Sequence, residues 1–136
     1  MLQIGDIVIP STSPDIQAVI TGMYHQKLQS YTMSKRVMNG RFVWERETII
    51  LYALNGGDYV WTESQLTPTG GHRDVPAHLY ELGDNVRIHT DKNTTYVVKS
   101  IRYKSDGYTY ELIANGKPPK HISEPQIVSA EPYTLF

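Results

Sequence analysis

Leu2-Gln3-Ile4-Gly5-Asp6-Ile7-Val8 returns as Tyr80-Glu81-Leu82-Gly83-Asp84-Asn85-Val86, 78 positions along the chain. The same offset carries Val19-Ile20 onto Val97-Val98 and Met23 onto Ile101. Further on, Asn55-Gly56 matches Asn115-Gly116, and Glu63-Ser64-Gln65-Leu66 matches Glu124-Pro125-Gln126-Ile127. Each copy supplies Gly-Asp, two β runs, an Asn-Gly turn and a Glu-x-Gln-aliphatic close. An internal repeat of this kind decides architecture before any single residue does.

The repeat splits 136 residues into units of roughly 50 to 75 residues, small enough to bury only about 60% of their unfolded surface. Each unit is marginal alone, so docking of the copies on each other or on a partner is expected. Ten tyrosines against two phenylalanines suit β-rich structure, because a tyrosine ring packs while its hydroxyl stays wet. The absence of cysteine excludes disulfides, thiolate nucleophiles and cysteine zinc sites, and favours a reducing compartment. No run approaches 18 apolar residues, and Met1-Leu2-Gln3-Ile4 lacks the shape of a signal peptide. A cytoplasmic protein with no membrane partner is expected. A formal charge of −1 supplies no global field toward nucleic acid or anionic lipid.

Five short strands are expected per copy. In the first they are Ile7–Ile9, Ala18–Tyr24, Thr48–Leu54, Tyr59–Trp61 and Leu66–Thr67. In the second they are Val86–His89, Thr95–Tyr103, Tyr108–Ala114, Lys120–Ile122 and Ile127–Ala130. A tight helical turn precedes the last strand of each, and no segment reads as a long amphipathic helix. Gly5 and Gly83 are expected at backbone angles that favour glycine, with Asp6 and Asp84 bonding nearby amides. Residues 68–78, rich in Gly and Pro, read as a linker between units spanning 1–67 and 79–136.

The Gly-Asp-x-Val opening, the Asn-Gly turn and the Glu-x-x-Leu/Ile close resemble the SH3-like superfamily that includes Tudor and KOW modules. That resemblance covers nearly the whole chain as two copies. It implies an all-β fold of two tandem SH3-like five-stranded barrels, and by class analogy a binding role. Small cysteine-free tandem barrels are similar to accessory or virion proteins of bacteriophages, which would place the chain in a host cytoplasm or a virion.

One difference between the copies stands out. Between its second and third strands the first copy spends 18 residues more, the difference between the offsets of 78 and 60. The extra material holds Val37-Met38-Asn39-Gly40-Arg41-Phe42, and Asn-Gly is the preferred pair for a two-residue hairpin turn. Folding there sets Val37 opposite Phe42, Lys35 opposite Trp44 and Met33 opposite Arg46. Tyr31, Met33, Lys35, Val37, Phe42, Trp44 and Arg46 then share one face, on arms projecting roughly 25 Å. An aromatic and apolar face of this kind must be covered, by its own barrel or by a partner. Tyr31, Met33, Val37, Phe42 and Trp44 are the candidate protein-binding residues. Lys35, Arg36, Arg41 and Arg46 make nucleic acid the alternative ligand. The third strand of the first copy, Ile49 to Leu54, is apolar on both faces, so its outer surface is also expected to be covered.

Catalytic patterns are absent: there is no Gly-x-Ser-x-Gly elbow, no Ser-x-x-Lys and no phosphate loop. The cluster His72, Asp74 and His78 matches no zinc spacing and reads as solvated linker. No enzyme, metal or cofactor is expected. The first-to-second-strand loops, Pro10–Gln17 and Asp91–Thr94, lack the aromatics of a methyl-lysine cage.

Overall fold

The computed structural model describes residues 2–27, 33–38, 41–46, 48–105 and 107–129, with the backbone alone for 27, 33–38, 41–46 and 48. Tyr31 and the Asn39-Gly40 turn lie outside the described residues. The chain is all-β. The first half holds β1 (Asp6–Pro10), β2 (Ala18–Lys27), β3 (Met33–Met38), β4 (Arg41–Arg46), β5 (Thr48–Leu54), β6 (Val60–Thr62) and β7 (Leu66–His72). The second holds β8 (Asn85–Ile88), β9 (Asp91–Lys104), β10 (Gly107–Ile113), β11 (Lys120–Ser123) and β12 (Ile127–Ser129). Short 3₁₀ turns at Glu63–Gln65 and Glu124–Gln126 precede β7 and β12. Among the described residues no helix is long and apolar enough to cross a membrane.

Both halves are wired identically. In the first, β2 pairs with β1 and β5, β5 with β6, and β7 returns to β1. In the second, β9 pairs with β8 and β10, β10 with β11, and β12 returns to β8. Local detail repeats as well. Gly5 and Gly83 take φ of 98° and 87°, and their amides donate to the carbonyls of Ile20 and Val98, each at 2.8 Å. Asp6 accepts the Gln3 amide as Asp84 accepts the Glu81 amide. These are the turns that the Gly-Asp pairs imply.

The ladders revise one offset. Met23 lies opposite Tyr52 and Ile101 opposite Tyr110, so the third strands correspond at 58 positions rather than 60. The first half's excess is therefore 20 residues, the difference between 78 and 58, and the connection from β10 to β11 is three residues longer than its counterpart, since Tyr52 pairs with Trp61 and Tyr110 with Ile122. Extra residues fall at Thr21 in β2 and Lys99 in β9, which correspond at 78. The bulge belongs to the repeat.

Alternation is clean on β10, where Tyr108, Tyr110 and Leu112 are buried and their neighbours less so. The inward residues of both halves meet in one buried cluster that joins Val8, Ile20, Met23 and Tyr52 to Val86, Val98, Ile101 and Tyr110. What joins the halves is backbone pairing. β2 and β9 run antiparallel, with Gly22 opposite Arg102, Met23 opposite Ile101 and Tyr24 opposite Ser100. All strands but β3 and β4 thereby form one ten-stranded antiparallel sheet.

Three expectations meet a different structure. Residues 68–72, read as the start of a linker, continue β7 along β1 out to the pair Asp6 and His72. Pro68 is tolerated because β7 is an edge strand, and the Thr69 hydroxyl donates to the Ile7 carbonyl at 2.8 Å. Asp91 to Thr94, read as a loop, already belongs to β9, because Ile88 pairs with Asp91 across a tight turn. The shorter reading of β2, to Tyr24, is extended to Lys27 by its ladder with β5.

The repeat supplies its own control for backbone strain. A Cβ on Gly83 meets nothing within 4 Å, whereas on Gly5 it meets His72 Cε1 at 2.8 Å and the Arg73 carbonyl at 2.9 Å. Gly83→Ala is expected to cost about 1–2 kcal/mol from its positive φ alone. Gly5→Ala should cost clearly more, because the Arg73 carbonyl is backbone and cannot turn aside. Urea unfolding of the two variants checks the order, and equal losses would show that the contacts around Gly5 are irrelevant.

Candidate functional site

The hairpin forms with the expected register. Val37 lies opposite Phe42, Lys35 opposite Trp44 and Met33 opposite Arg46, with Arg36 opposite Val43 and Met38 opposite Arg41. β3 and β4 make a two-stranded sheet of their own. In chain order it lies between β2 and β5, whose ladder pairs without a break from Gly22 with Ala53 out to Lys27 with Thr48. The backbone therefore places Met33, Val37, Phe42 and Trp44, and Lys35, Arg36, Arg41 and Arg46, on one ribbon. Tyr31 lies outside the described residues.

Below the hairpin, the outer face of β5 is covered where it meets the second half. Ala53 is fully buried, and a Cβ on Gly22 would sit 3.1 Å from Ala53 Cβ and 3.5 Å from Arg102 Cγ. Glycine at 22 is what lets the Arg102 stem lie across this face. The guanidinium then donates to the Gly57 carbonyl and to Asp58 Oδ1, both at 2.9 Å, and lies 5.8 Å from the centre of the Tyr24 ring. Partial burial raises the Tyr24 pKa, with Arg102 pulling the other way. Ile49 and Leu51, nearer the hairpin, stay partly exposed. The second half thus covers this face fully at Ala53, and the cover is less complete toward the hairpin at Leu51 and Ile49.

Residues 73–82 are largely exposed, yet several of them are held in place. The Arg73 amide donates to the Gly5 carbonyl at 2.8 Å, and Val75 packs on the core. The Tyr108 hydroxyl donates to the Pro76 carbonyl. His78 stacks edge-on against Tyr108 at 5.6 Å, and its Nδ1 donates to the Tyr80 carbonyl at 2.9 Å. The Tyr80 hydroxyl reaches the Ile127 carbonyl at 3.0 Å. Glu124 accepts from the Leu79 amide at 3.1 Å and from the Tyr110 hydroxyl. Tyrosines of the second half thereby fasten the connection between the copies.

The histidines expected in a linker go separate ways. His72 pairs with Asp6 at 3.0 Å, and His78 belongs to the tyrosine cluster. Other carboxylates are engaged: Asp58 with Arg102, Asp91 with Lys117 at 3.3 Å. Hydrogen bonding from the Thr94 side chain, with help from Lys117, lowers the Asp91 pKa. Among the described residues no three metal-ligating side chains converge. Exposed apolar area is scattered at Ile16, Tyr59 and Leu79, and Tyr59 meets Trp61 edge-on at 5.0 Å.

Arg102 and Tyr24 were not singled out by the sequence reading. They correspond at 78 positions, and an arginine inside the otherwise apolar run Val97 to Tyr103 was the available signal. Comparison with known proteins finds no matching family model, no matching curated protein and no matching solved structure. Function therefore rests on the chain's own chemistry.

The buried tyrosines give a testable pH dependence. Burial raises the pKa of Tyr24, Tyr52, Tyr108 and Tyr110, and at Tyr110 the Glu124 carboxylate adds to it. The folded state holds these hydroxyls protonated. Their stabilisation is complete below the ordinary tyrosine pKa of about 10 and is lost as pH rises above it. Thermal unfolding should show a transition temperature that does not respond to these groups through neutral pH and falls steeply above pH ~10. Tyrosinate absorbance appearing in full before any loss of structure would contradict it.

A pair of substitutions separates the hydroxyls of two fully buried tyrosines, Tyr110 and Tyr52. Tyr110→Phe leaves the Glu124 carboxylate short of a donor and is expected to cost about 1–3 kcal/mol. The Tyr52 hydroxyl is buried beside the Leu2 backbone without the geometry of a hydrogen bond. Tyr52→Phe is expected to be neutral or mildly stabilising in the same denaturation measurement.

Proposed function

We propose that this protein is a non-catalytic assembly module of two tandem SH3-like barrels, and that it engages a protein partner or a second copy through its hairpin. The barrel assignment is supported by the shared strand order of the halves. In each, the fifth strand returns to the first after a 3₁₀ turn. The binding reading is carried by one observation: β3 and β4 pair only with each other among the described residues, at the end of a ladder that continues into the seam. That is the arrangement of a projecting element on a rigid base.

Contact rather than catalysis is supported by how the polar groups are used. Asp6 and Asp84 close turns, Asp58 and Asp91 hold cations, and Glu124 fastens the connection between the halves. Met33, Val37, Phe42 and Trp44, with Tyr31 before them, are the residues proposed to meet a protein. A role as an accessory or virion protein of a bacteriophage is part of this proposal, and its support is the resemblance of small cysteine-free tandem barrels to such proteins. Nucleic acid is the second reading, favoured by the basic residues Lys35, Arg36, Arg41 and Arg46 on the same ribbon.

Two double variants separate the readings. Phe42→Ala with Trp44→Ala should weaken protein association by about 30-fold or more if aromatic anchors carry it, with the unfolding transition of the ten-stranded sheet retained. Arg36→Ala with Arg41→Ala should leave that association intact. Native mass measurement of the full chain, alone and as recovered from its source, reads both. Association that survives loss of the aromatics, with nucleic-acid retention lost in the arginine variant and steeply dependent on salt, would replace the protein reading by the nucleic-acid one.

A further inference from the structure

The seam carries a second feature, away from the hairpin. A groove of about 420 Å³ opens where both halves and their connection meet, lined by Val19–Thr21 of β2, the Asn55-Gly56 turn, Arg73 and Val75, and Tyr103–Ser105. Its size falls in the range of small-molecule sites. Val19, Ile20 and Val75 give it an apolar floor, and Tyr103, packed 5.1 Å from Tyr108, contributes a ring. No carboxylate lines it, yet two cations do.

Among the described residues those cations are not matched by a carboxylate. Arg102, beside the groove, pairs with Asp58, and Lys117 pairs with Asp91. Arg73 and Lys104 have no carboxylate at ion-pair distance among the described residues, and both are exposed. Their backbones are held, Arg73 by its amide on Gly5 and Lys104 by pairing with Gly107. The Thr21 hydroxyl oxygen accepts the Gly56 amide at 2.8 Å, which leaves its proton free to donate. Two cations on anchored backbone, a hydroxyl donor and an aromatic ring on an apolar floor complement an anion joined to a flat ring.

We propose that this groove binds a small phosphate ester of nucleotide size, the phosphate lying between Arg73 and Lys104 and the ring against Tyr103. The same chemistry is offered by a free mononucleotide and by a nucleotide within a single strand. The proposal is the free ligand, because the cations, the hydroxyl and the ring gather in one short groove where both halves and their connection meet. It makes no use of the hairpin and stands whether or not the hairpin binds protein.

Amide chemical shifts of the full-length protein, titrated with AMP, inorganic phosphate, adenosine and a short single-stranded oligonucleotide, test it. AMP should shift Thr21, Gly56, Tyr103 and Ser105, phosphate should shift the same set more weakly, and adenosine should have no effect at equal concentration. Arg73→Ala and Lys104→Ala should each weaken AMP by about tenfold, the loss of one charged hydrogen bond. Both positions are exposed, so the unfolding transition should be retained in the variants. AMP shifts that are absent, that fall elsewhere or that persist in the double variant would overturn the proposal. Equal binding of adenosine, or binding of the oligonucleotide alone, would overturn it too.

Discussion

The pairing of β2 with β9 is the contact on which the rest of the molecule depends. Met23 lies opposite Ile101, and these residues are each other's counterparts in the repeat. On either side, Gly22 faces Arg102 and Tyr24 faces Ser100, and the counterparts of Gly22 and Tyr24 are Ser100 and Arg102. The ladder maps onto itself when the halves are exchanged. A covalent duplication has thus built the isologous contact of a two-fold dimer within one chain. It also answers the weakness of small units. Each half supplies strands to the same sheet and residues to the same buried cluster, so neither must close a core alone, and two edges that would otherwise be open are paired.

Chemistry collects where that symmetry is broken. Arg102 and Tyr24 occupy equivalent places, yet one is a cation and the other a ring, and they meet across the axis. Arg102 also ties down the Gly57 and Asp58 turn of the first half, an attachment that lets its stem bury Ala53. The first half gains a hairpin where the second passes directly from β9 to β10. The connection between halves runs along the groove and is fastened by Tyr80, Tyr108 and Tyr110. Duplication supplied a rigid frame, and the positions released from symmetry are those that can acquire a partner.

How much of this could be read from sequence follows from the range of each interaction. The Gly-Asp turns, the 3₁₀ turns and the hairpin register are local, and residue type plus spacing specified them. The hairpin is the sharpest case: an Asn-Gly pair read as a two-residue turn predicts which residue faces which, and Val37 with Phe42 and Lys35 with Trp44 pair as expected. β7 was harder, because Pro68, Gly70 and Gly71 have the composition of a linker, and only an edge position makes such a strand possible. The offset in the third strand misled for a related reason. The Asn-Gly turns match at 60 while the ladders match at 58, since a turn motif can move without its strand. The seam and the groove have no local signature at all. They depend on which strand edges remain unpaired after each half has folded.

β2 unites these features mechanically. It begins against β1 at Ala18, borders the groove from Val19 to Thr21, makes the seam from Gly22 to Tyr24, and ends at Lys27 below the hairpin. From Thr21 to Lys27 is six residues, roughly 20 Å of extended strand. At that separation, with no shared side chain, two ligands would act nearly independently. From Gly22 to Tyr24 the strand between them is nevertheless paired on both edges, by β5 on one and β9 on the other, and from His25 to Lys27 by β5. Rigidity at the base limits what binding must order, and a small protein whose surface is set in advance gives up less freedom on association than one that must form its contact site as it binds.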